Sequence, residues 1–415
     1  MFICAICFLI GGCSLNIPLE DQFSDPDAIT DVLSARSLLA SAYKAMPQQI
    51  FQLSVLSDDF CPSQHLNKDM SLQGLYNWRE VEMTELAGTL WAGYYAVIAE
   101  VNALLARIDA VVTLDETEKL EKMRIVCEAK ALKSWCYFDL LRLFAPRYEG
   151  NENKDGIILK KRVELAYLQV ELELYAGNYP AVLELTKDLE TEYPESVLGA
   201  DVYKYLWSSE NSDARIFGKY QLEQIYMDIR FDTFEKGDYL VLSQNVDYEE
   251  EDIRKEWSEI PFVMPDAKNV RLLGKYNKMN RDKVASKYVN VARAAGMWLM
   301  RVEALARSGK EGDAVALANR MLKQRGATEW STNIAGNELI SKILIERQKE
   351  YVGEGIRFFD MKRCGLSAIR YGTYGDKVMG IVKADDYRWT LPIPAGEYRY
   401  NTSVEQNDGW PKLSV

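Results

Sequence analysis

The stretch Leu165–Leu189, LAYLQVELELYAGNYPAVLELTKDL, decides the fold class. Leu165, Leu168, Leu172 and Tyr175 step by three, four and three residues, the interval that puts side chains on one face of an α-helix. Gly177-Asn178-Tyr179-Pro180 then breaks the pattern with turn-forming residues. Val182, Leu185 and Leu189 resume the helical spacing. The stretch predicts a helical hairpin.

A second hairpin of similar design follows later. Trp298, Val302 and Leu305 form its first helix, Ser308-Gly309 its turn, and Ala314, Leu317, Ala318 and Leu322 its second. This is the layout of a tetratricopeptide-type repeat. Each unit exposes an apolar face that only a stacked neighbour covers, so the pattern predicts an array.

Upstream, helices are predicted over 31–46, Leu86–Ile108 and Glu116–Phe144, the last stopped by Pro146. Ser57 to about Leu75 reads as a loop. Residues 200–275 break the periodicity with loosely alternating β-prone segments such as Ile225–Phe231, and with a turn at Gly237-Asp238 before Tyr239–Leu242. From Trp389 onward the tail is extended. The expected fold is mostly α: a tetratricopeptide-like array over about 31–199 and 285–365. A loop-rich portion with short strands occupies about 200–284 and 366–415.

The 415 residues carry 50 Lys plus Arg against 62 Asp plus Glu, a net charge of −12. An acidic chain lacks the basic face that nucleic-acid binding needs. The single histidine, His65, excludes triads and metal sites built from several imidazoles, and it lies in a polar run that reads as a solvated loop. Cys127 and Cys136 fall on one helix about 13 Å apart, too far for a disulfide, and read as small core residues. No cofactor or metal site is expected.

Residues 1–12, MFICAICFLIGG, form an apolar run too short to span a bilayer and read as an export signal. The run lacks the Lys or Arg that ordinarily opens such a signal, as a misassigned start or a truncated leader would. Ile10-Gly11-Gly12-Cys13 resembles a lipobox, which makes Cys13 the expected lipidation site and residues 13–30 a tether. No other segment approaches 18 consecutive apolar residues.

Several separated segments together resemble the SusD/RagB family of outer-membrane lipoproteins. They are Ser41-Ala42-Tyr43, Leu90–Tyr95 with Asn102, Glu128–Lys133 with Tyr137–Leu140, and Leu174–Tyr179. Further along come Asp252–Arg254, Lys275-Tyr276, Glu303–Arg307, Glu346-Arg347 with Glu354–Arg357 and Asp360, and Pro392–Pro394 with Glu397, Asn401 and Gln406-Asn407. Thr402 and Asp408 stand where the family tail carries prolines, and the stretch between Phe144 and Leu165 is short for the family, as if a repeat helix were missing or rebuilt there. The resemblance implies a non-enzymatic surface protein. Such a protein binds a nutrient, usually a glycan and sometimes a peptide, and sits as a lid on a TonB-dependent SusC-like transporter. Its repeats face the barrel and its irregular portion carries the ligand site.

Sugar rings offer flat C–H faces rimmed by hydroxyls, which aromatic planes with a few polar side chains match. Trp91, Trp135 and Trp298 lie on apolar helical faces and read as core. The candidates off the helices are Tyr76, Trp78, Trp207, Tyr248 and Trp257, with Asn77 and Arg79 as hydrogen-bonding neighbours; for each aromatic, local packing is the competing role. Glu346, Glu350 and Glu354 recur every four residues and suggest paired carboxylates for glycoside hydrolysis. Arg347, Arg357 and Arg363 nearby point instead to an ion-pair network. Glu249–Asp252 reads as a solvated acidic face. A glycoside hydrolase and a scaffold binding only proteins are the alternative functions.

Overall fold

The computed structural model describes residues 29–149, 166–207, 212–220, 240–276, 288–400 and 404–412. In chain order the longer helices among them begin with α1 (Val32–Ala45), α2 (Ile50–Leu56), α3 (Met70–Tyr76), α4 (Glu80–Arg107), α5 (Glu116–Phe144), α6 (Ala166–Tyr175) and α7 (Tyr179–Leu185). They continue with α8 (Ile253–Ser258), α9 (Ala294–Arg307), α10 (Glu311–Arg325), α11 (Gly336–Tyr351), α12 (Ile356–Cys364) and α13 (Ala395–Tyr400). The strands are β1 (Phe60–Pro62), β2 (Arg215–Tyr220), β3 (Leu240–Leu242), β4 (Glu259–Val263), β5 (Asn269–Leu273), β6 (Tyr288–Arg293), β7 (Ala368–Tyr371) and β8 (Val378–Val382). They join as antiparallel pairs, β1–β3, β2–β6, β4–β5 and β7–β8. The molecule is mostly helical, as expected.

Long-range side-chain bonds orient the first bundle. Lys122 Nζ donates to the carbonyl of Val111 (2.8 Å), and Tyr94 Oη to Asp139 Oδ2 (2.6 Å), so α4 and α5 are antiparallel. Arg36 pairs with Glu121 and Glu128, while Gln49 beyond the far end of α1 reaches Asp139, so α1 runs parallel to α5. α4 begins at Glu80, earlier than its apolar period suggests, because Glu80 and Glu82 in its first turn suit the positive end of the helix dipole. By length and mean composition α4 is the one described helix apolar enough to cross a membrane, although Glu85 and Glu100 keep it short of 18 consecutive apolar residues. Here it packs against α1 and α5 and buries Met83, Ala87, Leu90, Tyr94, Val97, Ile98, Val101 and Leu104.

Both predicted hairpins form. Gly177 and Gly309 adopt φ of 71° and 75° at their turns, a region glycine enters without steric cost. The second helix of the first hairpin is shorter than predicted. α7 stops at Leu185, where Arg301 Nη1 takes the carbonyls of Leu183 (2.9 Å) and Thr186 (3.0 Å), leaving Leu189 on a separate turn. α9 contacts α6, α7, α10 and α11, and buries every residue from Ala294 to Ala306 except Arg301. A helix apolar nearly all round belongs at the centre of an array. At Gly296 a Cβ would run into the hydroxyls of Tyr167 and Tyr351, which accounts for the glycine.

Other expectations need correction. Part of the predicted loop between Ser57 and Leu75 is β1 and α3. His65 is half-buried, and its Nε2 is buried without a partner among the described residues; burial, then Lys68, lowers its pKa. Cys136 is buried, whereas Cys127 is exposed; both are free thiols. Asp252 is buried, because its carboxylate caps α8 and pairs with Arg254. The Phe144–Leu165 departure, Ile225–Phe231, Gly237–Tyr239, Thr402 and Cys13 fall wholly or mostly outside the described residues.

Candidate functional site

The strand-bearing portion builds a cleft from alternation. In β4 and β5, Ile260, Phe262, Val270 and Leu272 turn toward a small second core with Cys61 and Val241. The other face of the hairpin carries Glu259, Pro261, Asn269 and Arg271, with Pro261 opposite Arg271 in the register. β3 lies beside β5, and the turn between β7 and β8 closes the third side. The resulting cleft is about 440 Å³ and is lined by Val241, Leu242, Gln244, Glu259, Pro261, Asn269, Val270, Arg271 and Tyr374. That volume falls within the roughly 300–1,000 Å³ of small-ligand sites.

Tyr374 is the aromatic at its edge, and its backbone is held at φ 58°, a left-handed conformation unusual for a bulky residue. Gly372 N–H donates to the carbonyl of Lys377 (2.8 Å) and Gly375 N–H to that of Gly372 (3.0 Å), so the surrounding turn enforces the conformation. Strain that a tight turn sustains is a recurrent mark of ligand sites. Tyr374 Oη reaches Asp266 Oδ1 (3.4 Å) in the β4–β5 turn; burial, and then the nearby Asp266, keep the phenol above its ordinary pKa and therefore neutral. Arg271 is fixed, with Nη1 donating to Glu259 Oε2 (3.0 Å) and the carbonyl of Val246 (2.6 Å), and Nη2 to that of Ser243 (3.1 Å). The amides of Gln244 and Asn269 are on exposed residues. The cleft offers a ring, apolar patches and neutral hydrogen-bonding groups at a shallow surface.

The residues expected from sequence lie elsewhere. Trp78 is fully buried at φ 56°; its Nε1 donates to the carbonyl of Leu56 (3.0 Å), and its ring packs edge-on to Trp389. Tyr76 is buried behind β7, where its hydroxyl accepts from the N–H of Tyr371 (2.9 Å). Trp207 is buried among Tyr276, Lys275 and Arg293. Tyr248 is buried and donates to the carbonyl of Lys349 (2.6 Å). These four rings present no face to a ligand in this conformation, because packing claims them. Asn77, Arg79 and the half-buried Trp257 keep exposed surface but do not line the cleft. Asn77 caps α3 through the carbonyl of Gln73 (2.9 Å), and Arg79 pairs with Glu82. The sequence reading missed Tyr374; Tyr371-Gly372-Thr373-Tyr374-Gly375-Asp376, with two glycines bracketing an aromatic, was its available signal.

The carboxylate row is committed to ion pairs. Glu350 is bonded by Arg293 (2.6 Å) and Arg325 (2.8 Å), Glu354 by Lys275 (2.7 Å) and Arg293 (3.0 Å), and Glu346 by Arg254 (2.5 Å). Burial alone would raise the Glu350 carboxyl, but Arg325, Arg293 and Arg254 outweigh it and hold it well below the usual range. The cations expected from sequence pair elsewhere: Arg347 with Asp360, Arg357 with Asp58, and Arg363 with Glu303 and Asp360. Among the described residues no cluster of three or more His, Cys, Asp or Glu side chains suits a metal ion.

A model of the SusD family matches residues 199–410, and a model described as starch-binding associating with outer membrane matches residues 19–181. No curated protein matches the chain. Among solved structures, it is similar to a SusD superfamily protein from Bacteroides vulgatus, with 19% identity, a TM-score of 0.71 and coverage of 92% of this chain and 100% of that one. A SusD superfamily protein from Bacteroides thetaiotaomicron gives 19%, 0.69, 91% and 99%. A SusD-like carbohydrate binding protein from Bacteroides vulgatus gives 16%, 0.66, 90% and 97%. At such identities the likeness speaks for the fold. The family match itself spans more than half of the sequence, and the chain belongs to the SusD family.

Proposed function

We propose that the protein is a lipid-anchored carbohydrate-binding protein of the outer-membrane surface. It captures an oligosaccharide in the Tyr374 cleft and passes it to a TonB-dependent SusC-like transporter. The observation that carries the binding reading is the cleft itself: a strained aromatic at the edge of a shallow, amide-rimmed depression. A pyranose face stacks on Tyr374 while Gln244, Asn269 and Arg271 meet its hydroxyls. The description of the family matched at residues 19–181 supports the same ligand class and location. Binding without turnover is the favoured reading, because the carboxylates suited to hydrolysis by spacing are held in buried ion pairs.

The experiment is calorimetry of the purified chain against a panel of glycans and peptides, with chromatography of each mixture for released sugars. Tyr374→Ala should weaken glycan binding by about 1–3 kcal/mol, the loss of a central aromatic anchor. A folded variant that binds every glycan as tightly as the parent removes the cleft from the reading. Released sugar would assign a hydrolase, and peptide binding alone would replace the ligand class.

A further inference from the structure

Among the described residues the lining of the Tyr374 cleft holds one cation, Arg271, and acids already answer it. Its Nη1 lies 3.0 Å from Oε2 of Glu259, at the start of β4, and 3.6 Å from Oδ1 of Asp247, between β3 and α8. Glu259 is buried and Asp247 is 85% exposed, so one carboxylate faces the guanidinium from the protein side and the other from solvent. The carbonyls of Val246 and Ser243 take two further N–H groups. Around the mouth the exposed charges offset one another. Asp266 and Lys268 stand in the β4–β5 turn, and Asp376 and Lys377 in the β7–β8 turn. At the wall itself two acids face one base, which leaves it net negative.

We infer that the cleft selects neutral glycans and rejects those bearing uronate or sulfate groups, with Glu259 and Asp247 setting the choice. The inference rests on the glycan-binding reading above. Arginine is the natural partner of a sugar carboxylate, because its fork makes two charge-assisted bonds at once. Here Nη1 is engaged by Glu259 and Val246, and Nη2 by Ser243. An acidic sugar at the remaining N–H groups would bring a third carboxylate to a guanidinium that already faces two, and like charges at such short range repel. A sugar hydroxyl meets no such opposition. Its oxygen accepts from Arg271, and its proton goes to an amide oxygen of Gln244 or Asn269. Those amides both donate and accept, as hydroxyls do.

The test is calorimetry of the full chain against neutral malto-, cello-, manno- and galacto-oligosaccharides. Each is compared with the same glycan after oxidation of its primary hydroxyls to carboxylates, and oligogalacturonides and heparin fragments complete the acidic set. Oxidation should weaken binding about tenfold or more at low salt, and high salt should narrow the gap by screening. Glu259→Gln and Asp247→Asn should each raise the affinity for the oxidised glycan severalfold, by leaving Arg271 short of a counter-charge. Asp247, being on the surface, serves if the loss of buried Glu259 unfolds the chain. An acidic glycan that the parent binds as tightly as a neutral one overturns the inference, and so does a gap that no folded variant narrows. If no glycan binds, or if Tyr374→Ala leaves neutral binding intact, the cleft reading itself falls and the selection falls with it.

Discussion

At Asp59, burial pushes the carboxyl up to about 7, the neighbouring Asp58 adds repulsion, and the Gly353 N–H and the Gln348 amide offset part of it. The folded protein therefore holds a proton that the unfolded chain, near the ordinary value of 3.8, has already released. Asp59 contributes its stability fully below about pH 3.8 and loses it as the pH rises through 7. Asp59→Asn cannot ionise, so its stability relative to the parent should climb between pH 4 and 7 and level off above. Urea unfolding across that range checks it, and a constant difference would refute the assignment. Trp78 makes the opposite point to Tyr374. Trp78→Ala should cost about 3–5 kcal/mol of stability by opening a cavity, with glycan affinity unchanged in the protein that still folds. At the end of α3, Tyr76 and Trp78 turn inward while Asn77 and Arg79 stay exposed, an arrangement set by the left-handed turn at Trp78 and not by any strand period.

Among the elements, the helices were legible because their periodicity is local. The Gly177 and Gly309 turns came with them, since a positive φ leaves its mark in the residue type. The carboxylate row on and just beyond α11 was legible as ion-paired but not in its partners. Arg254, Lys275, Arg293 and Arg325 come from α8, from the residues after β5, from β6 and from α10, far away in sequence. The cleft was hidden for a related reason, because β3 and the Tyr374 turn reach the local β4–β5 hairpin from distant parts of the sequence. Glu350→Gln leaves Arg293 and Arg325 facing a neutral amide inside the core. Removing one side of a buried charge cluster costs about 3–5 kcal/mol. Chemical denaturation should show that loss, and full stability would mean that water or rearrangement satisfies the cations.

At the scale of the whole molecule, the helical array is the rigid part, and buried cations mount the excursions on it. Arg254 on α8, just before β4, is locked to Asp252, Glu346 and Glu350, which fixes the root of the β4–β5 hairpin. Among the described residues Arg370 on β7 has no carboxylate partner in its hydrogen bonds; it donates to the carbonyls of Val55 (3.0 Å), Leu56 (3.1 Å), Tyr76 (3.3 Å) and Ser57. Most of these are the terminal carbonyls of α2, the negative end of its dipole, and they pin the hairpin that carries Tyr374. If the cleft depends on this mounting, Arg370→Met should free residues 368–382 while leaving the array intact. Hydrogen exchange should then quicken in β7 and β8 with no change in α4, α5 or α9, and glycan affinity should fall although no residue of the cleft has been altered. Faster exchange with undiminished affinity would show that the turn around Gly372–Lys377 holds Tyr374 without help. Unchanged exchange would mean that the second core around Cys61, Val241, Ile260 and Leu272 anchors the hairpin instead.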